Sequence, residues 1–557
     1  QNAVGNLVEK PQYGGVLNFI DYQDPMYGFT LTGLLSGRPM WYIKMCNEPL
    51  LVKDRLKGPQ GIGEWDGLST LYPPQNWLTG CVAESWEIIQ PDTILFHIRK
   101  GINWQDKAPT YGAELTAEDV VYSFVLYWSR KGSRFPRSYP YLSNVKNPEE
   151  SIYLDPDDPW MVVFKSGPEN LGLLWERVAN NQYVIPKALG PMEGEGFVDW
   201  KGVVGTGALI LTDYVAGSSL SFERNPNYWQ NDPLHPENQL PYVDTVKVFI
   251  MPDASTQMAA LRTGKIDILV DVPIEDGEQL VKNNPELQRV NTLGDSWALF
   301  MREDVAPFDN VKVRQAMMMA INHEELVEVY YGGNAVMHYY PSWPLAEHAL
   351  MYIPYEELPE AVQELYEYHP DKAMQILDEA GLPGPDRFTT SVNVATDDQI
   401  DLCSIVKEYW ERVGVTLEIR PMEDVAFERM KRAFTFEHGI INILTMQEPV
   451  RFTKAQKDST SNYSRVNSSL IEETAKLSGE LYFDWTALSA MIRERTPEIN
   501  LEAHHVKLPQ SYITNFWQPW VKSFHGEASP QYQTDVINVA EYVWLDQDLK
   551  EEMTGRR

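Results

Sequence analysis

The sequence predicts an α/β protein built from two or three domains, and three observations support this class. The chain has 557 residues, more than a single hydrophobic core usually serves. Residues 208–270 contain strand-like runs followed by one helical segment, and residues 391–421 run strand, helix, strand. The second order favours two parallel strands joined by a crossover helix within one domain.

The β-then-α unit at residues 208–270 is defined by alternating apolar residues and by the turns between the runs. Its predicted strands and helix are Ala208–Tyr214, Ser219–Arg224, Thr245–Met251, the helix Ala254–Thr263 and a buried strand Ile266–Val270. Clusters rich in Gly, Pro, Asn and Asp separate the strands. Gly264 is placed to end the helix, since glycine readily adopts the left-handed conformation that follows a helix.

Further elements are predicted on both sides of this unit. They are strands at 16–22, 93–99 and 296–301, a hairpin excursion at 58–80, a helix ending near 322, a helix at 371–381, and the strand–helix–strand run 391–394, 399–413 and 415–421. Another helix starts after Thr116, the predicted N-cap, and acids in its first turn suit the helix dipole. Glu118 and Asp119 could be taken for a catalytic pair, but capping is the interpretation we favour.

Composition argues against nucleic acid and anionic membrane as partners. The formal net charge is −32 at pH 7, which repels phosphate-rich surfaces and favours solubility. No apolar run approaches the ~18 residues that a membrane helix requires. The chain starts at Gln1 without a Met or a basic-then-apolar leader, so it is either a trimmed intracellular protein or a mature secreted form.

The usual motifs of catalysis and cofactor binding are missing from the sequence. It has no G-x-S-x-G, P-loop, G-x-G-x-x-G or H-E-x-x-H pattern, and only His504 and His505 are adjacent among ten histidines. The acidic turn at 155–158 lacks the spaced ligands of a calcium loop. We therefore expect no catalytic residue, no metal and no cofactor. Of seventeen tryptophans, most should be core, and a minority in a cleft would stack on flat ligand faces.

Short motifs follow one another in a fixed order along the chain. They are NEPL at 47–50, LTAEDVV at 115–121, GTG at 205–207, ERNPNYW at 223–229, LPYVD at 240–244, ALRTGKID at 260–267, PFDNVKVRQA at 307–316 and PWV at 519–521. One such motif is weak, but several in this order are specific. Together they resemble the dipeptide and oligopeptide family of bacterial extracellular solute-binding proteins. The resemblance covers nearly the whole chain and is weakest at 340–370 and 435–500.

The resemblance implies a periplasmic-binding-protein-like type II fold, with two α/β lobes, an inserted subdomain and two hinge crossings. On this basis the first lobe should comprise 1–45, 187–270 and 507–557, the inserted subdomain 46–186, and the second lobe 271–506. Cys46 and Cys81 then fall in the same subdomain, which allows a bridge between them. Buried free thiols, including Cys403, are the alternative that we favour.

The resemblance also suggests where a solute would be bound. The loop that begins after the first strand borders the family's ligand cleft, and a tyrosine near residue 139 can reach the ligand, with Tyr141 as the alternative. The candidate ligand-binding residues are Tyr22, Asp24, Tyr27, Tyr139, Trp297, Glu448, Arg451, Asn515, Phe516 and Trp517. Core packing is the competing interpretation for Trp297, Phe516 and Trp517.

The chemical class of the solute depends on the loop at residues 439–451, GIINILTMQEPVR. Peptide-binding members of the family use an Asp in this region to capture the amino terminus, because a charge pair buried on closure binds strongly. This loop has no Asp, and Glu448 is its only acid, with Arg451 close by. Either Glu448 substitutes, or the ligand is a sugar-like or capped solute that stacks on aromatic residues.

The function implied is that of the substrate-binding component of an ABC importer. Such a protein captures an elongated polar solute, here an oligopeptide or an oligosaccharide, and delivers it to a membrane permease. A secreted or lipid-anchored monomer, periplasmic or at the cell surface, is expected. The alternatives are a hydrolase acting on the same glycans or peptides, which turnover would reveal, and a sensor or chaperone with the same fold.

Overall fold

The computed structural model describes residues 9–25, 29, 44–65, 73–130, 133, 135–190, 199–337, 349–444, 452–526 and 541–556. Its strands are β1 (Val16–Asp21), β2 (Leu51–Lys53), β3 (Leu78–Gly80), β4 (Ala83–Ile89), β5 (Thr93–Ile98), β6 (Ile152–Leu154), β7 (Met161–Lys165), β8 (Leu209–Val215), β9 (Ser219–Arg224), β10 (Asn231–Asp232), β11 (His235–Gln239), β12 (Thr245–Ile250), β13 (Ile268–Pro273), β14 (Gln288–Met301), β15 (Ala335–Val336), β16 (Phe388–Val394), β17 (Val415–Pro421), β18 (Gly439–Ile443), β19 (Val506–Trp517), β20 (Val521–Lys522) and β21 (Trp544–Leu545).

Helices of eight or more residues are numbered separately. They are α1 (Ala117–Ser129), α2 (Leu171–Val178), α3 (Ala254–Arg262), α4 (Ile274–Asn283), α5 (Val311–Met319), α6 (Pro370–Glu379), α7 (Asp397–Arg412), α8 (Asp424–Ala433), α9 (Ser469–Leu481), α10 (Trp485–Leu501) and α11 (Gln547–Thr554). No helix among the described residues combines the length and apolar character needed to cross a membrane.

The chain forms two compact units. One contains residues 1–292 and 513–557, and the other contains residues 293–512. The chain therefore passes between the units twice, once within β14 and once within β19. These passages lie later in the chain than the predicted boundaries at 270/271 and 506/507. Both passages lie inside a continuous strand, so no break between secondary-structure elements marks them. The separation of an inserted subdomain at 46–186 stays a prediction.

A four-stranded sheet in the order β1-β12-β9-β8 forms part of the first unit. β1 pairs with β12 in parallel, and β12, β9 and β8 are antiparallel neighbours. In this sheet the predicted strand at 16–22 pairs with a strand of the predicted β-then-α segment at residues 208–270. The helix that follows is α3, and the Asp253 carboxylate caps it by accepting a hydrogen bond from the Thr256 amide at 2.7 Å.

A second sheet of the first unit is antiparallel throughout, in the order β4-β5-β7-β6. Ile94, Phe96 and Ile98 lie on its buried face, as their alternation predicts. α1 begins after Thr116, whose amide donates to Asp119 Oδ2 at 2.9 Å, and the Asp119 amide donates to the Thr116 carbonyl at 3.0 Å. The Lys187 amide donates to Asp119 Oδ1 at 2.8 Å, so both carboxylate oxygens have structural roles. The capping interpretation is therefore confirmed.

The sheet of the second unit contains the predicted strand–helix–strand run. β16 and β17 pair in parallel from Phe388–Val415 to Val394–Pro421, and α7 connects them. β18 pairs in parallel with β16 and antiparallel with β14. The core on one side includes Trp410 of α7, whose indole nitrogen donates to the Met317 carbonyl at 3.1 Å. The parallel pairing predicted from the order of elements is confirmed.

The three cysteines are free and buried. Burial raises the pKa of the Cys46 and Cys403 thiols to about 12, so both are protonated at neutral pH. The Cys81 thiol lies 3.4 Å from Glu48 Oε1 and donates to it. The Cys46–Cys81 bridge is therefore absent, and the three cysteines are the buried free thiols that we favoured.

Candidate functional site

The family motifs of the first unit build a scaffold in which backbone groups approach closely. Gly205 and Gly207 of the GTG motif pack against the backbone of Cys46, and a Cβ on Gly205 would overlap the Cys46 carbonyl. The Gly207 amide donates to that carbonyl at 2.8 Å. Asn225 of the ERNPNYW motif donates its side-chain amide to the Gly207 carbonyl at 3.1 Å. These residues therefore fix the chain rather than offer groups to a ligand.

Arg224 of the same motif secures the LPYVD segment. Its guanidinium donates to the Tyr242 carbonyl at 2.6 Å and to the Val243 carbonyl at 3.2 Å, and it pairs with Asp244 at 2.9 Å. The guanidinium also lies 5.0 Å from the centre of the Tyr13 ring. A planar side chain with five donors suits this set of acceptors.

Asp267 is the buried charge that joins several parts of the first unit. Its Oδ2 accepts from the Asn18 amide at 2.7 Å, and its Oδ1 accepts from the Trp520 indole at 2.7 Å and lies 3.6 Å from Lys550 Nζ. Burial raises the pKa of Asp267, and Lys550 and the hydrogen bonds oppose that shift. In the sequence Asp267 is the last residue of the ALRTGKID motif and directly precedes the apolar residues 268–270, a pattern that does not by itself reveal its buried partners.

Three candidate ligand-binding residues lie at the end of β19, opposite β13. The strands pair antiparallel, with Ile268 opposite Trp517 and Leu269 opposite Phe516. The Asn515 side chain is buried and joins β13 to the segment after β20, since its Oδ1 accepts from the Asp271 amide at 3.0 Å and its Nδ2 donates to the Gly526 carbonyl at 2.9 Å. Its amide is thus engaged with the backbone on both sides.

The two aromatic residues of this strand end differ in exposure. Phe516 is fully buried, and its ring lies against Gly277 of α4. Its burial favours packing over contact with a solute. Trp517 is partly buried, packs against the core that contains Trp520 and Val521, and meets the Phe524 ring edge-on at 5.1 Å. Trp517 therefore keeps an accessible portion that a ligand could contact.

The two described candidates after β1, Tyr22 and Asp24, differ in exposure and in hydrogen bonding. Tyr22 is 36% exposed, and its hydroxyl accepts from Gln23 Nε2 at 2.9 Å. Asp24 holds the turn between β8 and β9, accepting from the Gly217 amide at 2.7 Å and from the Tyr214 hydroxyl at 3.1 Å. Burial, and then the bonded Asp24 carboxylate, raise the pKa of Tyr214 to about 12. Tyr22 is the more exposed of the two side chains.

Tyr139 belongs to an aromatic and cationic cluster in the first unit. Its ring lies 5.0 Å from Phe135 and 4.1 Å from the Arg177 guanidinium, and its carbonyl accepts from the Trp128 indole at 2.9 Å. Tyr139 is partly buried, whereas the alternative, Tyr141, is 6% exposed. The difference in exposure favours Tyr139 over Tyr141 as a ligand contact.

The second unit contributes one described candidate, Trp297. It lies in β14 opposite Ile443 of β18, and its partly buried ring packs on the core of this unit. The remaining candidates, Tyr27, Glu448 and Arg451, lie outside the described residues. The structure thus places Asn515, Phe516 and Trp517 on one strand end and Trp297 in the other unit.

One buried serine–histidine contact has the appearance of catalytic machinery. Ser391 Oγ lies 2.8 Å from His438 Nδ1, and His438 Nε2 lies 3.9 Å from Glu437, beyond hydrogen-bond distance. Ser391 is 1% exposed in the middle of β16, so a substrate cannot reach its hydroxyl. The described residues also contain no group of three His, Cys, Asp or Glu side chains arranged to hold a metal.

Comparison with known families identifies the class of this scaffold. Residues 78–458 match the family described as "Bacterial extracellular solute-binding proteins, family 5 Middle". The chain belongs to this family. The resemblance inferred from the motifs is therefore confirmed, and the matched family consists of binding proteins rather than enzymes.

Individual relatives in this family are distant in sequence. Heme-binding protein A of Haemophilus influenzae is 27% identical over 355 residues, 60% of this chain and 60% of the relative. The periplasmic oligopeptide-binding protein OppA of Salmonella typhimurium is 23% identical over 470 residues, 80% of this chain and 81% of the relative. The chain thus spans about three fifths of the first relative's length and four fifths of the second's.

Solved structures support the fold at still lower identity. AppA of Bacillus subtilis, in complex with a nonapeptide, has a TM-score of 0.70 and 20% identity, covering 96% of this chain and 100% of AppA. AgaA of A. tumefaciens R10, in complex with agropinic acid, has a TM-score of 0.71 and 15% identity, covering 96% and 99%. These likenesses confirm the periplasmic-binding-protein-like type II fold.

Proposed function

We propose that this protein is the extracellular substrate-binding component of an ABC importer, capturing an elongated polar solute between its two lobes. The family match over residues 78–458 carries this proposal. The chain passes between its two units within β14 and within β19, a connection that suits hinge closure. Transport requires no covalent chemistry, because a solute that binds the closed form more tightly shifts the population toward it.

The partners and location follow from the same assignment. The closed, loaded protein would dock on a membrane permease and release its solute there. We propose a monomer that works in the periplasm or at the cell surface, either secreted or lipid-anchored. The net charge of −32 disfavours nucleic acid as a partner and supports the monomer, because like charges on two copies repel each other.

The solute is proposed to be an oligopeptide or an oligosaccharide. The names of several relatives, such as the oligopeptide-binding protein OppA, favour a peptide. The absence of an Asp from residues 439–451 and the partly buried rings of Trp297 and Trp517 favour a solute with flat, neutral faces. Glu448 distinguishes a peptide from a sugar, because the amino terminus of a peptide would require the Glu448 carboxylate as its charged partner.

Calorimetry with two ligand series tests the solute class. We expect that one series, either dipeptides or cello- and xylo-oligosaccharides, binds the wild type. If the solute is a sugar, Trp517→Ala should weaken binding by roughly 5-fold, since stacking on an aromatic ring contributes about 1 kcal/mol. If it is a peptide, Glu448→Gln should abolish binding instead, because the amine loses its charged partner.

Trp86→Ala is the matched control for the tryptophan variant. Trp86 is also partly buried, in β4, where it packs on Trp175 at 5.9 Å. This variant should bind like the wild type. Equal loss of binding in both tryptophan variants would point to general destabilisation and remove Trp517 from the site. Failure of both ligand series would exclude these two solute classes.

A further inference from the structure

The first unit contains two buried carboxyl groups that meet at a single tyrosine. Glu48 and Glu541 are 1% and 4% exposed, and they are separated by 493 positions in the chain. The Tyr228 hydroxyl lies 2.9 Å from Glu48 Oε1 and 2.8 Å from Glu541 Oε1. A phenol has one proton to donate, so it cannot donate to both carboxylates at once.

The surroundings of Glu48 fix the direction of these hydrogen bonds. Glu48 accepts from the Trp229 indole at 3.0 Å, from Gln230 Nε2 at 2.9 Å and from the Cys81 thiol at 3.4 Å. These donors suit an ionised carboxylate, and the Tyr228 proton completes the set. Gln230 Nε2 is also 2.8 Å from the Tyr228 oxygen, which it can reach only as a donor.

Once the Tyr228 proton points to Glu48, the short contact with Glu541 requires a proton on Glu541 itself. Otherwise an ionised carboxylate would face the lone pairs of the phenol inside the protein, which is costly without a compensating hydrogen bond. We propose that Glu48, Tyr228 and Glu541 form a pH-sensitive switch, in which one proton held on Glu541 at neutral pH secures segment 541–545. Loss of this proton at alkaline pH would release the segment.

The groups that face Glu541 come from several elements. The titratable and charged side chains around Glu541 are Glu48, Arg55, Cys81, Tyr228 and Tyr542, and Asp232 acts on Tyr542. Burial, and then the charge of Glu48, raise the pKa of Glu541 to about 8, while Tyr228, Arg55 and Tyr542 oppose the shift. The Arg55 guanidinium is stacked 3.9 Å from the centre of the Tyr542 ring, and its charge only partly offsets the effect of burial and of Glu48.

The segment held by this cluster is part of the sheet structure. Residues Trp544 and Leu545 form β21, which pairs with β20 at Lys522 and Val521. Trp544 and Tyr542 also pack with Tyr228 in one apolar cluster. Ionisation of Glu541 would place a second charge beside Glu48 in this cluster, so the repulsion acts directly on the attachment of β21.

The sign of the pH dependence follows from the raised pKa. In the unfolded chain Glu541 ionises near its ordinary pKa of 4.5, whereas in the folded protein it ionises near 8. Between these values the unfolded state has released a proton that the folded state retains. The contribution of Glu541 to stability is therefore complete below pH 4.5 and is lost as pH rises toward 8, by up to about tenfold in the folding equilibrium constant per pH unit.

Infrared spectroscopy of the wild type in D₂O tests the proton directly. We expect the C=O stretch of a buried, protonated carboxyl group at pH 6 to 7, disappearing with a midpoint near pH 8. Glu541→Gln should remove this band, and Glu48→Gln should shift its midpoint downward by removing the neighbouring charge. A wild-type spectrum without a protonated carboxyl at pH 6 would overturn the proposal, whatever the variants do.

Hydrogen exchange tests release of the segment. At pH 9 the peptide covering residues 541–550 should exchange faster in the wild type than in Glu541→Gln, and at pH 6 the two should match. Glu552→Gln, which removes an exposed carboxylate of α11, should behave like the wild type at both values. Equal exchange of the wild type and Glu541→Gln at pH 9 would contradict the switch. Should Glu541→Gln fail to fold, Glu48→Gln replaces it in the comparison with the wild type. It too should exchange more slowly than the wild type at pH 9.

Discussion

At the scale of single residues, stability depends on buried polar groups whose partners come from distant parts of the chain. Asp267 is the clearest case, because it is fully buried and contacts Asn18, Trp520 and Lys550. Each partner belongs to a different segment of the first unit. Removing one member leaves the others buried without compensation, which costs more than the intact interactions contribute.

Asp267→Ala should therefore destabilise the protein by about 3–5 kcal/mol, because in a buried site Lys550 loses its opposite charge and the Trp520 indole loses its acceptor. Urea denaturation at pH 7 measures the change in the free energy of unfolding. Asp213→Ala removes an exposed carboxylate from β8 and should change that free energy by less than about 0.5 kcal/mol. Similar values for both variants would show that the Asp267 network is not structural.

At the scale of elements, the glycines of the GTG motif determine how one segment packs on another. Gly205 is not in the left-handed region, but a Cβ at this position would overlap the Cys46 carbonyl oxygen, so any side chain would push the two segments apart. Gly101 presents the opposite case, with a left-handed φ of 81° and open space around its Cα. Gly205 is thus required for a steric reason, and Gly101 for its backbone conformation.

Gly205→Ala should destabilise the protein by more than 3 kcal/mol, because backbone must move to relieve the overlap. Gly101→Ala should cost only about 1–2 kcal/mol, the price of left-handed backbone for an L-residue. Thermal denaturation followed by circular dichroism gives both values. A larger loss at Gly101 than at Gly205 would mean that segment 205–207 adjusts freely.

At the scale of the whole molecule, the two units are joined by the two passages within β14 and β19. A solute that binds only the folded, closed protein shifts its unfolding equilibrium by mass action. The proposed function therefore predicts stabilisation by one chemical class of solute and not by others.

A thermal-shift screen over peptides and oligosaccharides should give a single class of hits. At about 100-fold excess over its dissociation constant, a solute should add about 2.7 kcal/mol to the free energy of unfolding. Calorimetry on the hits separates binding from nonspecific stabilisation. A flat response across both classes would count against a binding protein for either, while leaving the family assignment untouched.

Much of the local structure was predictable because it depends on neighbours in the sequence. Strand β9 and strand β17 have the predicted bounds, and α3 ends one residue earlier than predicted. Alternation, caps and turn residues act over a few positions, so they can be recognised without the fold. The order of the motifs predicted the family, and the family in turn predicted a two-lobed fold.

The candidate ligand-binding residues were less predictable, since exposure is a property of the folded chain. Phe516 and Trp517 are adjacent aromatic residues on one strand, yet Phe516 is fully buried and Trp517 is partly exposed. The pleat of β19 points them to opposite sides. Asp24 likewise has a carboxylate that could bind a ligand, but this carboxylate accepts a hydrogen bond from the Gly217 amide and so stabilises a turn.

The sequence by itself determined the elements, the α/β class and the family, because these depend on local patterns and on motifs in order. Only the tertiary structure decided which buried polar groups meet. Glu48, Tyr228 and Glu541 lie in segments whose meeting no local pattern predicts, and their hydrogen bonds depend on distances of about 3 Å. Burial then made their protonation a property of the cluster, since desolvation and neighbouring charges act only once the chain is folded.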